Sequence, residues 1–284
     1  VTLQEHAIAL GIRSGFGDDR LRINSVKTFA DGALGPQTAL MIDPYEGSPG
    51  NRGISTCDKE EMFEYVRAAS AAGLSSSIHA IGDKANHDVL DVFAMVRAEE
   101  KLRQEERTPH LRHRIEHVQV LHPDDFNRLA QLSIIASMQP IHATSDMLMA
   151  DKYWGKRSVG AYAWRTQINA GASLAFGSDS PVESFNPFLG IHAAVTRRRT
   201  DGSPHPDGWY PDQRLTVDEA VHGFTLGAAY ASYEENRKGS LTPGKLADLI
   251  VLDRDIFTID PMEIAETQVL ATMIDGRWVW QSSY

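Results

Sequence analysis

Short strand-like runs alternate with longer helix-like patterns along this chain, as in an α/β fold with a parallel sheet. Four of the runs end in a side chain that can bind a metal or move a proton: residues 22–27, 75–79, 114–117 and 173–179, which end at Lys27, His79, His117 and Asp179. The carboxyl ends of parallel strands in a βα barrel open onto one face. We therefore expect these four side chains to converge on one pocket of a barrel.

The spacing of apolar residues between these runs predicts helices. The predicted helices cover residues 60–72, 85–106, 123–132, 162–170 and 188–198, and residues 133–139 form one more strand. Asp58 or Thr56 can cap the first of these helices. Thr216 and Glu219 have the spacing of a capping box, which predicts a further helix over residues 216–233.

The pattern changes near residue 239. Residues 239–253 are rich in turn-forming residues and lead into a strand, and residues 270–280 contain Asp275-Gly276 between apolar residues. Asp-Gly between two apolar runs is typical of a two-residue β-hairpin turn. We predict a small β domain over residues 239–284, after a barrel domain over residues 1–238.

Composition narrows the range of partners. The chain has 284 residues and a formal net charge of −10, which disfavours nucleic acid and anionic membranes because both attract basic patches. The basic run Arg197-Arg198-Arg199 is predicted to be a solvated helix end. Cys57 is the only cysteine, so an intrachain disulfide is excluded and a reducing cytoplasm is favoured. No apolar run reaches the roughly 18 residues of a membrane span.

The residue types at the strand ends fit a metal-dependent hydrolase. Neutral imidazole is a good zinc ligand, and neighbouring strands lie about 5 Å apart, which suits His79 and His117. A carboxylate beside a metal-activated water can accept its proton and pass it to a departing amine. We predict this role for Asp179; the alternative is that Asp179 caps the turn at Ser180-Pro181.

Four sequence words occur in order along the chain: KTFADG from Lys27, HAIGD from His79, RIEH ending at His117 and GSDSPV around Asp179. In these words and their order the chain resembles the amidohydrolase superfamily, and within it the amidohydrolase 3 (YtcJ-like) branch. The resemblance implies a (β/α)8 TIM-like barrel that hydrolyses carbon-nitrogen bonds other than peptide bonds in small amides, cyclic amides or imines. It also implies one or two divalent ions, commonly zinc, held by Lys27, His79, His117 and Asp179.

The resemblance also shows a departure from the family pattern. Members normally carry a His-x-His pair at the first barrel strand, whereas His6 is the only histidine before Lys27. If Lys27 ends the fourth barrel strand, we expect an incomplete barrel of strands 4–8. Residues 239–284 would then be the C-terminal part of a flanking β-sandwich.

Lys27 needs a chemical change to bind a metal, because an ammonium group repels cations. Burial would lower its pKa, and the neutral amine could then capture carbon dioxide as a carbamate. The resemblance implies such a carboxylated Lys27 as a bridge between two metals. The alternative is an unmodified Lys27 that pairs with Asp31.

Four further residues are candidates for binding substrate. Asp31 and Asp83 follow ligand-bearing strands and could contact substrate or orient His79, although each could instead be a helix cap. Gln139 and His142 could contact substrate because they follow the strand over residues 133–139 at the same open face.

Two other hypotheses stay open. The chain could be a catalytically silent fragment or a noncatalytic binding module, because it lacks the His-x-His ligands. Alternatively, two chains could associate as a homo-oligomer that completes the barrel or the sheet, since exposed strand edges favour pairing.

Overall fold

The computed structural model describes residues 3–103 and 110–283. The chain divides into two compact units. The first contains the described residues up to Met138 together with Leu148–Ser173, and the second contains Gln139–Met147 together with the described residues from Leu174 onward. The predicted boundary between residues 238 and 239 stays a prediction.

The first unit contains a parallel sheet flanked by helices. Its strands are β1 Phe16–Gly17, β2 Arg22–Ile23, β3 Ser25–Phe29, β4 Ser75–Ala80, β5 Arg114–His117 and β6 Ile135–Met138. Its helices are α1 Gln4–Ala9, α2 Lys59–Ala71, α3 Asp83–Arg103, α4 Arg128–Gln131, the later part of α5 Pro140–Trp154, and α6 Trp164–Asn169. Short 3-10 helices cover Pro123–Asp125 and Gly155–Gly160.

Strands β3, β4, β5 and β6 lie side by side in chain order and are all parallel. In this register Lys27 pairs with Ser77, and His79 pairs with both Phe29 and Glu116. Helices connect these strands, so the predicted α/β class with a parallel sheet is confirmed. The parallel arrangement brings the ends of β4 and β5 together.

Local sequence accounts for two boundaries in this unit. The Asp58 side chain accepts a hydrogen bond from the Glu61 backbone N–H at 2.7 Å, so Asp58 rather than Thr56 caps α2. The predicted strand over residues 22–27 is interrupted at Asn24, whose side chain accepts from the Gly15 backbone N–H at 3.2 Å. That contact favours the antiparallel pairing of β1 with β2 and leaves Lys27 on the separate strand β3.

The second unit contains a short strand, a helical region and an antiparallel sheet. Its elements are β7 Leu174–Phe176, α7 Pro187–Thr196, α8 Val217–His222, α9 Ala228–Ala231, β8 Leu249–Leu252, β9 Val269–Ile274 and β10 Arg277–Gln281, together with the first turns of α5 and 3-10 helices over Pro211–Gln213 and Pro261–Glu266. Strand β7 is shorter than the predicted run over residues 173–179, so Asp179 follows the strand instead of ending it.

The predicted helix over residues 216–233 forms with a change of winding. Thr216 and Glu219 make both hydrogen bonds of the capping box at its start. A π-helical turn over Gly223–Gly227 then separates α8 from α9. A Cβ atom at Gly223 would lie 2.4 Å from the Phe176 ring, so this position needs glycine for the helix to approach β7.

Strands β8, β9 and β10 form an antiparallel sheet. Asp275 and Gly276 both have positive φ, at 50° and 72°, which is the geometry of a type I′ turn and confirms the predicted hairpin. Trp278 and Trp280 remain 48% and 49% exposed. This sheet therefore presents large apolar side chains to solvent.

The prediction that Arg197-Arg198-Arg199 is a solvated helix end is wrong. The Arg197 side chain is fully buried, donates to the Trp209 carbonyl and stacks on the Trp209 ring at 4.9 Å. Arg198 and Arg199 are half-buried and also donate to backbone carbonyls. Charge patterning failed here because the acceptors of Arg197 and Arg199 lie 12 and 55 residues away in the sequence.

None of the described helices has both the length and the apolar character needed to cross a bilayer.

A buried polar network joins α2, α3 and β4 in the first unit. Nδ1 of His113 accepts from the Ser76 backbone N–H at 2.9 Å, and Nε2 contacts Glu100 Oε1 at 2.8 Å. Nδ1 therefore lacks a proton, and burial lowers the pKa of His113. Burial is the largest single influence on Glu100 and opposes its ionisation, but the contacts with His113, Ser70 and Arg97 together outweigh burial and lower the pKa of Glu100 to about 2.

This network predicts an acid-sensitive fold. His113 stays neutral when folded, whereas the unfolded residue takes up a proton below about pH 6.5, so stability falls as the pH drops through that value. Between pH 7.5 and 5.5, the free energy of unfolding in urea should fall more for the wild type than for His113→Gln. At pH 7.5 the variant should be less stable by about 1–3 kcal/mol. Exposed His205→Gln is the matched control, and equal pH dependence of the wild type and His113→Gln would contradict the prediction.

Candidate active site

His79 and His117 lie together at the carboxyl ends of β4 and β5. Their ring centroids are 4.6 Å apart and the rings meet edge to face. His117 has a φ of 80°, so the backbone turns sharply where β5 ends. Its side chain is buried, and the His79 side chain is 12% exposed. The sheet thus brings the two predicted imidazole ligands into contact.

The loop after β3 fixes the orientation of His79. Nε2 of His79 lies 2.8 Å from the Gly32 carbonyl oxygen and 3.5 Å from Asp31 Oδ1. A carbonyl only accepts hydrogen bonds, so the contact requires a proton on Nε2. In a neutral imidazole Nδ1 is then the unprotonated nitrogen, which is the form of a ring nitrogen that can bind a metal.

Asp31 connects this loop to the end of β4. Its Oδ1 accepts from the Ile81 backbone N–H at 3.0 Å, and its Oδ2 accepts from the Gly82 and Leu40 N–H groups, each at 2.8 Å. Burial raises the pKa of Asp31 to about 7, although the three hydrogen bonds favour the ionised form. These contacts are those of a carboxylate that positions the backbone beside His79.

Asp83 anchors the same loop from the start of α3. Its Oδ1 accepts from the backbone N–H groups of Ile42 and Lys84, both at 2.8 Å. Burial raises the pKa of Asp83. The backbones approach so closely here that a Cβ atom at Gly82 would lie 1.9 Å from the Leu40 carbonyl oxygen. The sequence left several roles open for Asp31 and Asp83. These contacts favour a role for Asp31 in orienting His79 and a role for Asp83 in capping the start of α3.

The sequence did not predict the contacts that backbone carbonyls of the loop after β3 make with distant side chains. The Gly32 carbonyl contacts His79, and Arg157 donates to the carbonyls of Asp43 and Pro44 at 2.6 and 2.8 Å. Glycine directly after Asp31 could have indicated a tight turn. Nothing in the sequence pairs Arg157 with a loop more than 100 residues earlier.

Lys27 lies on the same strand face as Phe29. Its Nζ is 4.6 Å from the centre of the Phe29 ring, and this ring lies 5.0 Å from the His79 ring. Lys27 and Phe29 are both exposed. The burial on which we based the carbamate expectation is therefore absent from the described part of the first unit.

Three predicted residues belong to the second unit. Gln139 and His142 are buried at the start of α5, where the His142 N–H donates to the Gln139 carbonyl at 3.0 Å. Asp179 follows β7 with a left-handed φ of 57°, and its carboxylate is exposed. The turn after it is closed through the backbone, because the Val182 N–H donates to the Asp179 carbonyl at 2.9 Å.

His79 and His117 fit a divalent ion as two of its ligands, since both are imidazoles at one sheet edge. Among residues 3–103 and 110–283, no group of three or more His, Cys, Asp or Glu side chains is arranged to hold a metal. The described residues therefore supply a pair of donors rather than a complete set.

Comparison with known proteins gives consistent matches. The model of the amidohydrolase family matches residues 2–280. The putative amidohydrolase YtcJ of Bacillus subtilis is 34% identical over 93% of this chain, and N-substituted formamide deformylase of Arthrobacter pascens is 30% identical over 90%. The crystal structure of an uncharacterized metal-dependent hydrolase from Pyrococcus horikoshii has a TM-score of 0.79 and 32% identity, over 92% of this chain.

The chain spans about half the length of these relatives, covering 48%, 45% and 50% of them respectively. The family match extends over nearly all of the chain and includes the four words at Lys27, His79, His117 and Asp179. It confirms the resemblance that those words indicate. The chain therefore belongs to the amidohydrolase family, as a YtcJ-like member.

Proposed function

We propose that the protein is a metal-dependent amidohydrolase that hydrolyses carbon-nitrogen bonds other than peptide bonds. The observation that carries the proposal is the His79–His117 pair, with ring centroids 4.6 Å apart, in a chain matched by the family over residues 2–280. The formamide deformylase among the relatives supports a small amide, and we extend the substrate class to cyclic amides and imines. The substrate itself is a small molecule of unassigned identity.

His79 and His117 would hold the ion, with Lys27 and Asp179 as further ligands. A divalent ion held there would lower the pKa of a water molecule to about 7 and so supply a nucleophile at neutral pH. Asp31 and Gly32 keep His79 in the tautomer whose Nδ1 can bind. Zinc is our first choice because it accepts imidazole ligands readily, and one or two ions are compatible with the donor types.

Asp179 would move the proton. Its carboxylate accepts a proton from the attacking water and returns it to the nitrogen that leaves the substrate. The exposure of Asp179 leaves its carboxylate accessible to a bound substrate. Gln139 and His142 would bind the substrate from the start of α5, and Asp31 and Asp83 would shape the site through the backbone.

The finer features of the fold are also part of this proposal. We propose that β3 to β7 correspond to strands 4–8 of a TIM-like barrel and that β8 to β10 are part of a flanking β-sandwich. The exposed Trp278 and Trp280 support the second point, because a sandwich covers one sheet face with another. A carboxylated Lys27 would require burial by a further part of the barrel. The cytoplasm is our proposed location, because Cys57 is the only cysteine.

A second candidate function is that of a noncatalytic module. The observation that favours it is that, among the described residues, no group of three or more His, Cys, Asp or Glu side chains is arranged to hold a metal. Under this alternative His79 and His117 would keep their arrangement at the sheet edge without binding an ion. Metal binding separates the two candidates.

The first prediction concerns metal uptake. After dialysis against micromolar zinc, mass spectrometry should find close to one ion per purified chain. His79→Asn and His117→Asn should each weaken zinc binding by at least about 10-fold. Loss of a residue that only hydrogen-bonds to a metal ligand already costs about 10-fold in affinity, and loss of the ligand itself should cost at least as much. His205→Asn is the exposed control. Essentially no zinc in the wild type would support the noncatalytic alternative.

The second prediction concerns turnover by the protein as it is encoded in full. In assays with N-substituted formamides, cyclic amides and imines, Asp179→Asn should lower kcat by about 10²–10⁴-fold, the usual range for a proton-transfer group, while His79 and His117 keep the metal bound. Asp207→Asn, an exposed aspartate in the same unit, should leave turnover as in the wild type. Retained activity in Asp179→Asn would remove this residue from the mechanism.

A further inference from the structure

Arg199 joins two parts of the chain that are distant in sequence. Its Nε donates to the Thr144 carbonyl at 2.9 Å, and its Nη2 donates to the Ser145 carbonyl at 3.2 Å. By contrast, Nε of Arg198 donates to the Gly202 carbonyl at 3.1 Å, inside its own turn. Arg199 therefore joins the turn after α7 to a helix more than 50 residues earlier in the chain.

The segment held by Arg199 is the start of α5, where Gln139 and His142 lie. Helical carbonyls already accept one backbone N–H and have a second lone pair available for a side chain. The planar guanidinium can donate to two successive carbonyls at once, which fixes both the distance and the direction of the helix. Thr144 and Ser145 are therefore restrained by a charged group outside their own helix.

The same segment is bonded to the loop that starts at Asp179. The Ser145 hydroxyl donates to Oε1 of Glu183 at 2.5 Å. Glu183 lies four residues after Asp179, and the Val182 N–H closes the intervening turn on the Asp179 carbonyl. The contacts run from Arg199 through the start of α5 to the Asp179 loop, within one compact unit.

Arg199 is itself held by a rigid turn. Its backbone N–H donates to the Ser203 carbonyl, and its carbonyl accepts from Gly202, both at 2.9 Å. Just before it, the buried Arg197 ends α7 in a left-handed conformation and binds the Trp209 carbonyl. A fixed turn on one side and two carbonyls on the other make Arg199 a clamp rather than a mobile surface cation.

We propose that Arg199 is a positioning residue, which holds the Gln139–Ser145 segment against the Asp179 loop. It would act through these residues, without touching substrate. The inference rests on the proposed function only for the roles of Gln139, His142 and Asp179, because the clamp itself is independent of any reaction.

Hydrogen exchange measured by mass spectrometry tests the clamp without a substrate. In Arg199→Gln, amides in residues 141–147 and 179–186 should exchange at least about 10-fold faster than in the wild type, since a charge-assisted contact to each of two carbonyls is lost. Arg198→Gln, the matched control, should accelerate exchange only in residues 198–203. Arg199→Lys should give an intermediate rate over residues 141–147, because an ammonium group cannot reproduce the planar fork.

Ser145→Ala removes the hydrogen bond to Glu183 and keeps the carbonyls to which Arg199 donates. It should accelerate exchange in residues 179–186 and leave residues 198–203 unchanged, and it keeps the test valid if Arg199→Gln does not fold. Exchange in residues 141–147 that is equal in Arg199→Gln or Arg199→Lys and the wild type would overturn the proposal. So would unchanged exchange in residues 179–186 of Ser145→Ala.

With an active full-length protein, Arg199→Gln should raise KM at least about 10-fold with a smaller change in kcat, and Arg199→Lys should partly restore KM. Faster exchange in a protein without turnover would count against the proposed function and leave the clamp intact. Unchanged exchange in an active protein would reject the clamp and leave the function standing.

Discussion

The carboxylate of Asp31 is the constraint on which the site in the first unit depends. It lies buried between the end of β4 and the loop after β3, and it accepts backbone N–H groups from both. Burial of a charge is costly unless hydrogen bonds compensate for it. Here three backbone hydrogen bonds offset part of that cost, and burial still raises the pKa of Asp31 to about 7. The result is a fixed distance between the Gly32 carbonyl and the His79 ring.

Other contacts make the loop part of the scaffold. Asp83 holds the Ile42 backbone, Arg157 holds the carbonyls of Asp43 and Pro44, and the buried Tyr45 hydroxyl donates to the Ala39 carbonyl at 2.7 Å. A long, turn-rich loop can form a mobile lid. The anchors instead make this loop a rigid wall beside His79, which is the arrangement that a metal ligand with a defined tautomer requires.

The sequence predicted those features that depend on local pattern. The ends of β4 and β5 at His79 and His117, the capping box at Thr216 and the hairpin at Asp275 follow from alternation, spacing and turn chemistry. These signals are local because each depends on residues a few positions apart. The family resemblance, which the match over residues 2–280 confirms, added the order in which the strand ends follow one another.

The remaining features depend on partners distant in sequence. Asp31 accepts from Ile81, 50 residues later, and Arg199 donates to Thr144, 55 residues earlier. Arg197 is buried because the fold places the Trp209 carbonyl and ring beside it. The interruption of the strand at Asn24 likewise depends on its contact with Gly15. From residue type alone, a charged or polar side chain of this kind could face solvent, bind substrate or cap a helix. Only the folded structure shows which of these contacts it makes.

The tautomer of His79 tests the central claim most directly. Nitrogen-15 NMR of the histidine rings at pH 7.5, with His79 assigned by comparison with His79→Asn, reports which ring nitrogen carries the proton. The account predicts protonated Nε2 and unprotonated Nδ1 in the metal-free chain. Protonated Nδ1 with unprotonated Nε2 would contradict it, because the Gly32 carbonyl would then not hold the ring and the Asp31 loop would not prepare His79 to bind a metal.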